Sequence, residues 1–200
     1  MDPASPPPLL NIANVLTGVR LLLVPVFLAA LLVEDGLSVA WRLVAFGVFA
    51  LAAFTDRLDG DLARRFMLVT TFGTIADPIA DKALTGSALV GLSVLGLVPW
   101  WLTVVIMVRE IGVTVLRFVV LRHGLIPASR GGKAKTFVQT LAIGLYLLPL
   151  PELLGAVAVV AAVRWTVLAV ALILTMVTGL DYVMRAARLR AAAAALPEVP

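Results

Sequence analysis

The chain contains no cysteine and only one histidine. Without thiols it can form no disulfide, no thiolate nucleophile and no zinc–thiolate site. Charge is scarce as well: Asp, Glu, Lys and Arg make up 14% of the 200 residues, against about 25% in an ordinary soluble domain. No glycine-rich P-loop or other nucleotide-fold motif occurs. No internal repeat points to a transporter built of inverted halves. The first apolar stretch has no basic segment before it and no small-residue cleavage site after it, so the start does not read as a secretory signal. Pro3, Pro6, Pro7 and Pro8 make residues 1–12 an irregular arm.

What is present is apolar surface. Hydrophobic residues make up 62% of the chain and the mean hydropathy is +1.07. A soluble fold carries about 45–50% apolar residues, so the excess must face lipid. The net charge of +4, in so apolar a chain, points to anionic lipid headgroups rather than nucleic acid.

A helix crossing a bilayer needs roughly 20 mostly apolar residues, and the sequence yields six such spans in an all-α membrane bundle. The first covers 15–33 and closes at Glu34, Asp35 and Gly36. The second runs from Trp41 into Asp56. Residues 83–108 carry no charge and are too many for one upright span; Pro99-Trp100-Trp101 divides them into a third helix and the start of a fourth. SRGGKAK at 129–135 reads as a polar loop, with a fifth helix from there to Leu148. The sixth is clear over 165–180 but has no clear start, because 153–163 is apolar too. The whole chain reads as one membrane domain with a tail over 186–200. Lys and Arg concentrate in the termini and in the 2–3 and 4–5 connections, which places both ends in the cytoplasm. Trp41, Trp100 and Trp101 then fall at the outer interface.

The specific signal lies in DRLDGDLARRFMLVTTFGTIADPIADK, residues 56–82. On a helix, Asp56, Asp59, Gly60 and Ala63 fall at i, i+3, i+4 and i+7, one face. Gly73, Asp77 and Asp81 step by four along a second helix, with Pro78 expected in its first turn. A carboxylate at the centre of a membrane helix costs about 2.5–3.5 kcal/mol, so four cost roughly 10–14. Even half of that is comparable with a domain's whole stability of about 5–15 kcal/mol. Salt bridges to Arg57, Arg64, Arg65 and Lys82 offset part of it but do not explain four acids sharing a face with small residues. Oxygen donors converging without His or Cys suit hard divalent cations.

These residues resemble the signature of the CDP-alcohol phosphotransferase family, D-x2-D-G-x2-A-R-x8-G-x3-D-x3-D. Asp56, Asp59, Gly60, Ala63, Arg64, Gly73, Asp77 and Asp81 fill it with every spacing intact. NIANVLTGVRLLLVP (11–25), FGTIADPIADK, VREIGVTVLRF (108–118) and GGKAKTFVQT (131–140) look like its bacterial phosphatidylglycerophosphate synthase subgroup. Ala76 departs from that pattern, where a larger aliphatic residue is expected. The resemblance implies two magnesium or manganese ions held by Asp56, Asp59, Asp77 and Asp81, gripping the diphosphate of CDP-diacylglycerol. It implies that Asp81 is the base that deprotonates an acceptor hydroxyl, which attacks the β-phosphorus and releases CMP. It also implies a homodimer in the bacterial inner membrane. Alongside it, Gly60 and Gly73 are expected to let the nucleotide lie against bare backbone and Arg64 to meet a phosphate. Asn14, Thr17 and Thr70 complete the polar wall or serve as helix caps. Arg20 either lines the cavity or snorkels.

Arg109, Arg117, Lys133 and Lys135 have few acids near them in sequence, Glu110 being the exception. A basic pocket beside the metal site points to an acceptor alcohol that itself carries a phosphate, and glycerol 3-phosphate fits both this and the subgroup. Arg122 and Arg130 read as ordinary cytoplasmic bias; His123, Asp61 and Asp181 read as structural. Phosphatidylglycerol or inositol phosphate as acceptor is the alternative. An ion or proton transporter would spread its acids through the membrane depth, whereas here they gather at one end.

Overall fold

The computed structural model describes residues 11–65, 70–120 and 130–194, and among them all regular structure is helical. Helix α1 spans Ile12–Leu32 and starts where Asn11 caps it, the Asn11 side chain accepting from the Asn14 N–H at 3.0 Å. Pro25 lies inside α1 without ending it. A 3₁₀ turn, Val33–Gly36, follows, with φ of 52° at Glu34 and Asp35 and 70° at Gly36. A Cβ on Gly36 would stand 2.5 Å from the tip of Leu95 in a left-handed backbone conformation, so this reversal favours glycine.

Helix α2, Val39–Arg65, carries the second apolar stretch through 56–65 without a break. Helix α3 is Thr71–Val94 and α4 is Trp100–Val120, so the chain divides near Pro99 as the sequence indicates. Pro78 departs from expectation. Thr70 caps α3 at residue 71, which places Pro78 about two turns inside the helix rather than in its first turn.

Helix α5 is Arg130–Leu147, so GGKAK belongs to its first turns and not to a loop. A short α6, Leu150–Leu154, ends at Gly155 with φ of 64°. The last helix, α7, runs Val157–Ala194. It starts before the clear apolar run and continues past Leu180 and into the stretch from 186 expected to be a tail.

Helices α1, α2, α3, α4, α5 and α7 each have 18 residues or more, and 18 residues rise about 27 Å, close to a bilayer core of about 30 Å. Three stretches among the described residues, Asn14–Gly36, Val39–Asp56 and Val157–Leu189, are both long and apolar enough to cross a membrane. Large apolar side chains such as Leu22, Phe54, Val108 and Val177 stand exposed, as lipid-facing residues do. This is a multi-pass membrane protein.

The chain forms two compact units, one from Met1–Val98 with Ile143–Val157 and the other from Pro99–Ala142 with Ala158–Pro200. In the first, α1 packs against α2 and α3. Phe27 and Phe49 meet with ring centroids 5.9 Å apart. Ala45, Ala52, Ala80 and Ala88 are fully buried and let the helices approach closely. At Gly91 of α3, a Cβ would lie 2.8 Å from Leu31 Cδ2 of α1.

Arg42, at the start of α2, is buried and donates to the carbonyls of Tyr146 (2.7 Å), Leu147 (3.2 Å) and Leu148 (3.4 Å). It thus satisfies the orphan carbonyls where α5 ends. The second unit buries one stripe on each helix: Leu102, Ile106 and Glu110 on α4; Lys135, Gln139 and Ala142 on α5; and Arg164, Leu168, Ala171 and Thr175 on α7.

Candidate active site

The register of the first unit builds the site. Phe27 of α1 meets Phe49 of α2. Seven residues back along α1 and seven forward along α2, Arg20 meets Asp56 at 2.5 Å, so these two helices are antiparallel. Leu31 lies against Gly91 and Thr17 donates to Asp77 Oδ1 at 2.7 Å, a separation of 60 residues in both cases, so α1 and α3 are parallel. The start of α1, the end of α2 and the start of α3 therefore share one end of the unit. On α2, Ala45, Phe49, Ala52 and Asp56 follow one stripe, so the packing that buries the alanines also aims Asp56 inward.

At that end, Thr70 Oγ1 donates to Asn14 Oδ1 at 3.0 Å and accepts from the Gly73 N–H at 3.0 Å. Thr70 is thus both the cap of α3 and part of a polar wall. Thr17 and Asn14 are buried beside it. Arg20 is fully buried, whereas the Asp56 side chain is 38% exposed. Asp81 pairs with Lys82 at 2.7 Å, both partly exposed. Asp77 and Asp81 are near enough to Asp56 for their charges to act on it, as are Arg20 and Lys82. Thr17, Arg20 and Lys82 each engage one carboxylate oxygen, of Asp77, Asp56 and Asp81 respectively.

Among the described residues no three acidic or histidine side chains draw together into a cation cage. The side chains of Asp59, Arg64 and Arg117 lie outside the described residues, and Gly60 is described by its backbone alone. The groups present nonetheless suit a hard divalent ion: the donors are all oxygens. At Gly73 a Cβ would come within 2.9 Å of Asn14 Oδ1, 3.3 Å of Thr70 Oγ1 and 4.0 Å of Asp77 Oδ2. Glycine at this position keeps a polar cradle open beside Asp77. Ala76 is buried and makes no polar contribution.

The model of the CDP-alcohol phosphatidyltransferase family matches residues 10–194. The chain belongs to this family. A "Probable phosphatidylglycerophosphate synthase" of Mycobacterium tuberculosis is 57% identical over 178 residues, covering 89% of this chain and 82% of that protein. A CDP-diacylglycerol–glycerol-3-phosphate 3-phosphatidyltransferase of Bacillus subtilis is 35% identical over 184 residues, covering 86% and 93%. A CMP-forming cardiolipin synthase of Streptomyces coelicolor is 39% identical over 144 residues, covering 70% and 66%. As a CDP-alcohol phosphatidyltransferase, the protein is an enzyme of phospholipid synthesis.

The expected acceptor cations lie in the second unit. Glu110, 3% exposed, accepts from Arg109 Nη1 at 2.8 Å and from the buried Lys135 Nζ. Arg109 Nη2 also donates to Thr178 Oγ1 at 2.6 Å. A Cβ on Gly179 would lie 2.8 Å from Arg109 Nε, so the bare backbone of α7 leaves room for the guanidinium. Lys133 is exposed on α5 and takes no part in this cluster. Asp181 pairs with Arg185 at 3.0 Å one turn on, a surface bridge.

The sequence reading leaves Arg20 open between two roles and gives no role to Arg42, Gln139 or Thr178. Arg20 shares a helix face with Thr17, three residues before it, and that spacing is a signal that it points inward. Arg42 has no such signal, since its partners lie over a hundred residues away.

Proposed function

We propose that this phosphatidyltransferase moves the phosphatidyl group of CDP-diacylglycerol onto sn-glycerol 3-phosphate, yielding phosphatidylglycerophosphate and CMP. The observation that supports the reading is that Asp56, Asp77 and Asp81 share the end of the first unit that also holds the Asn14–Thr70–Gly73 cradle. Asp56, Asp59, Asp77 and Asp81 would hold two magnesium or manganese ions, which supply charge neutralisation on the diphosphate and the departing phosphate.

The remaining steps belong to the chain. Gly60 and Gly73 leave backbone bare for the nucleotide, Arg64 meets a phosphate, and Asn14, Thr17 and Thr70 wall the donor. Asp81 accepts the proton of the acceptor hydroxyl as its oxygen bonds to the β-phosphorus and the bond to the CMP oxygen breaks. Arg109, Arg117 and Lys135 receive the acceptor phosphate, and Lys133, exposed outside the Glu110 cluster, adds its charge to theirs. Six spans put both termini and the site on the cytoplasmic side of a bacterial inner membrane. The chain has no cysteine, so single cysteines at positions 35 and 185 test this directly: an impermeant maleimide added outside labels the first alone. A homodimer follows from the resemblance, and light scattering of the detergent-solubilised protein checks it.

The deciding assay is CMP release from CDP-diacylglycerol by purified protein, with each acceptor offered separately and with EDTA followed by added magnesium. The cardiolipin synthase relative favours phosphatidylglycerol as the second acceptor to try. Turnover with that lipid and none with glycerol 3-phosphate refutes the first reading. Within this assay, Asp81→Asn retains donor binding and loses kcat by about 10²–10⁴-fold, the usual contribution of a positioned base. Loss of donor binding that excess magnesium restores makes Asp81 a metal ligand only.

A further inference from the structure

Two fully enclosed polar side chains of the second unit have no hydrogen-bond partner. Gln139, 4% exposed, leaves both its amide nitrogen and its amide oxygen unpaired, and Thr175, 0% exposed, leaves its hydroxyl unpaired. Buried polar groups are nearly always hydrogen-bonded, because enclosure without a partner costs free energy. Two such residues on one small bundle mark a place where a ligand supplies the partners.

Their register shows where that place is. Gln139 lies four residues beyond Lys135 on α5, so both share the face on which Lys135 meets Glu110 of α4. Thr175 lies three residues before Thr178 on α7, so both share the face on which Thr178 meets Arg109 of α4. Long helices joined by short connections run in opposite directions. Moving forward along α5 and backward along α7 therefore travels the same way. Gln139 and Thr175 thus both lie one turn beyond the Arg109–Glu110–Lys135 cluster, toward the level of the buried Ile106.

The chemistry of the pair is that of a hydroxyl reader. An amide offers a donor and an acceptor side by side, and a threonine hydroxyl offers both at one atom. Neither carries charge, and together they suit a neutral hydroxyl that must both give and receive. The adjoining cluster carries two cations to one anion, which suits an anionic group. We propose that Gln139 and Thr175 form a specificity subsite for the non-reacting hydroxyl of a phosphorylated polyol acceptor, with the phosphate held at Arg109 and Lys135. This rests on the acceptor reading above, and for glycerol 3-phosphate the hydroxyl is the middle one.

The test compares glycerol 3-phosphate with propane-1,3-diol monophosphate, which keeps the phosphate and a terminal hydroxyl but lacks the middle one. Wild-type, Gln139→Met, Thr175→Val and Thr175→Ser proteins are assayed for CMP release in full-length form, with thermal unfolding followed in parallel. Wild type prefers glycerol 3-phosphate in kcat/KM by about 10-fold or more, as loss of one or two neutral hydrogen bonds dictates. Gln139→Met and Thr175→Val bring that ratio close to one without raising the KM for CDP-diacylglycerol, and Thr175→Ser restores it. Because each apolar variant removes an unpaired buried group, it unfolds at or above the wild-type temperature. A wild type that does not discriminate, or a preference that survives both apolar variants, overturns the subsite alone. Variants that lose stability and weaken both substrates equally show a purely structural role and overturn it too. A wild type inactive with glycerol 3-phosphate but active with phosphatidylglycerol overturns the acceptor reading and the subsite together.

Discussion

Asp56 carries two burdens, and they can be separated. Its carboxylate belongs to the proposed metal set and also faces Arg20, whose side chain is fully buried while that of Asp56 is 38% exposed. Breaking a buried ion pair by removing one partner costs about 3–5 kcal/mol, because the remaining charge stays desolvated. Asp56→Ala leaves a buried guanidinium without its carboxylate, though Arg20 retains other interactions. With Asp56 partly exposed, the expected loss of stability is smaller, about 2–4 kcal/mol. Arg20→Met leaves a carboxylate that water reaches, and costs about 1–2 kcal/mol.

In the double variant neither charge is stranded, so its stability exceeds that of Asp56→Ala, with a coupling of about 2 kcal/mol. Unfolding in detergent, followed by the fluorescence of the four tryptophans, measures all three, and CMP release measures activity. Both variants lacking Asp56 are inactive, yet the double variant is the more stable of the two. A coupling below about 0.5 kcal/mol, the level seen between independent sites, refutes the pairing. Full activity in either variant lacking Asp56 refutes its place in the metal set.

Gly73→Ala places a methyl 2.9 Å from Asn14 Oδ1 and disturbs the bond that joins the starts of α1 and α3. The KM for CDP-diacylglycerol should rise by roughly 2- to 12-fold, the equivalent of one neutral hydrogen bond; an unchanged KM shows that the cradle does not touch the donor. Arg42→Met removes the donor serving three carbonyls at the end of α5 and should cost about 2–4 kcal/mol of unfolding free energy. CMP release per folded molecule stays at the wild-type level, and a matching loss of specific activity contradicts a purely structural role. Lys135→Ala and Arg109→Ala should raise the KM for glycerol 3-phosphate by roughly 10- to 150-fold, the range for a charge-assisted hydrogen bond. An equal rise for CDP-diacylglycerol means that these residues hold the bundle around Glu110 instead.

Much of this protein is determined by sequence alone. Its apolar excess fixes a membrane environment, because no soluble core of 200 residues accommodates it. The steps of three and four between Asp56, Asp59 and Gly60 and between Gly73, Asp77 and Asp81 depend only on helix geometry, and so are visible before any packing is known. The break at Pro99 is local for the same reason. The errors are local too. Pro78 and GGKAK look like a helix start and a loop, yet the Thr70 cap and the pairing of Lys135 with Glu110 place both within helices.

Tertiary structure alone decides which charges meet. Arg20 and Asp56 are 36 residues apart, Thr17 and Asp77 are 60 apart, and Arg42 and Leu147 are 105 apart. Periodicity gives the face of a helix on which each lies but not the neighbour that face meets, which depends on the register of α1 against α2 and α3. The cations near Glu110 look unbalanced in sequence, whereas packing within the second unit gives Arg109 and Lys135 one shared carboxylate. The same packing encloses Gln139 and Thr175 without partners. Enclosure depends on three helices at once, and no single helix's sequence encodes it.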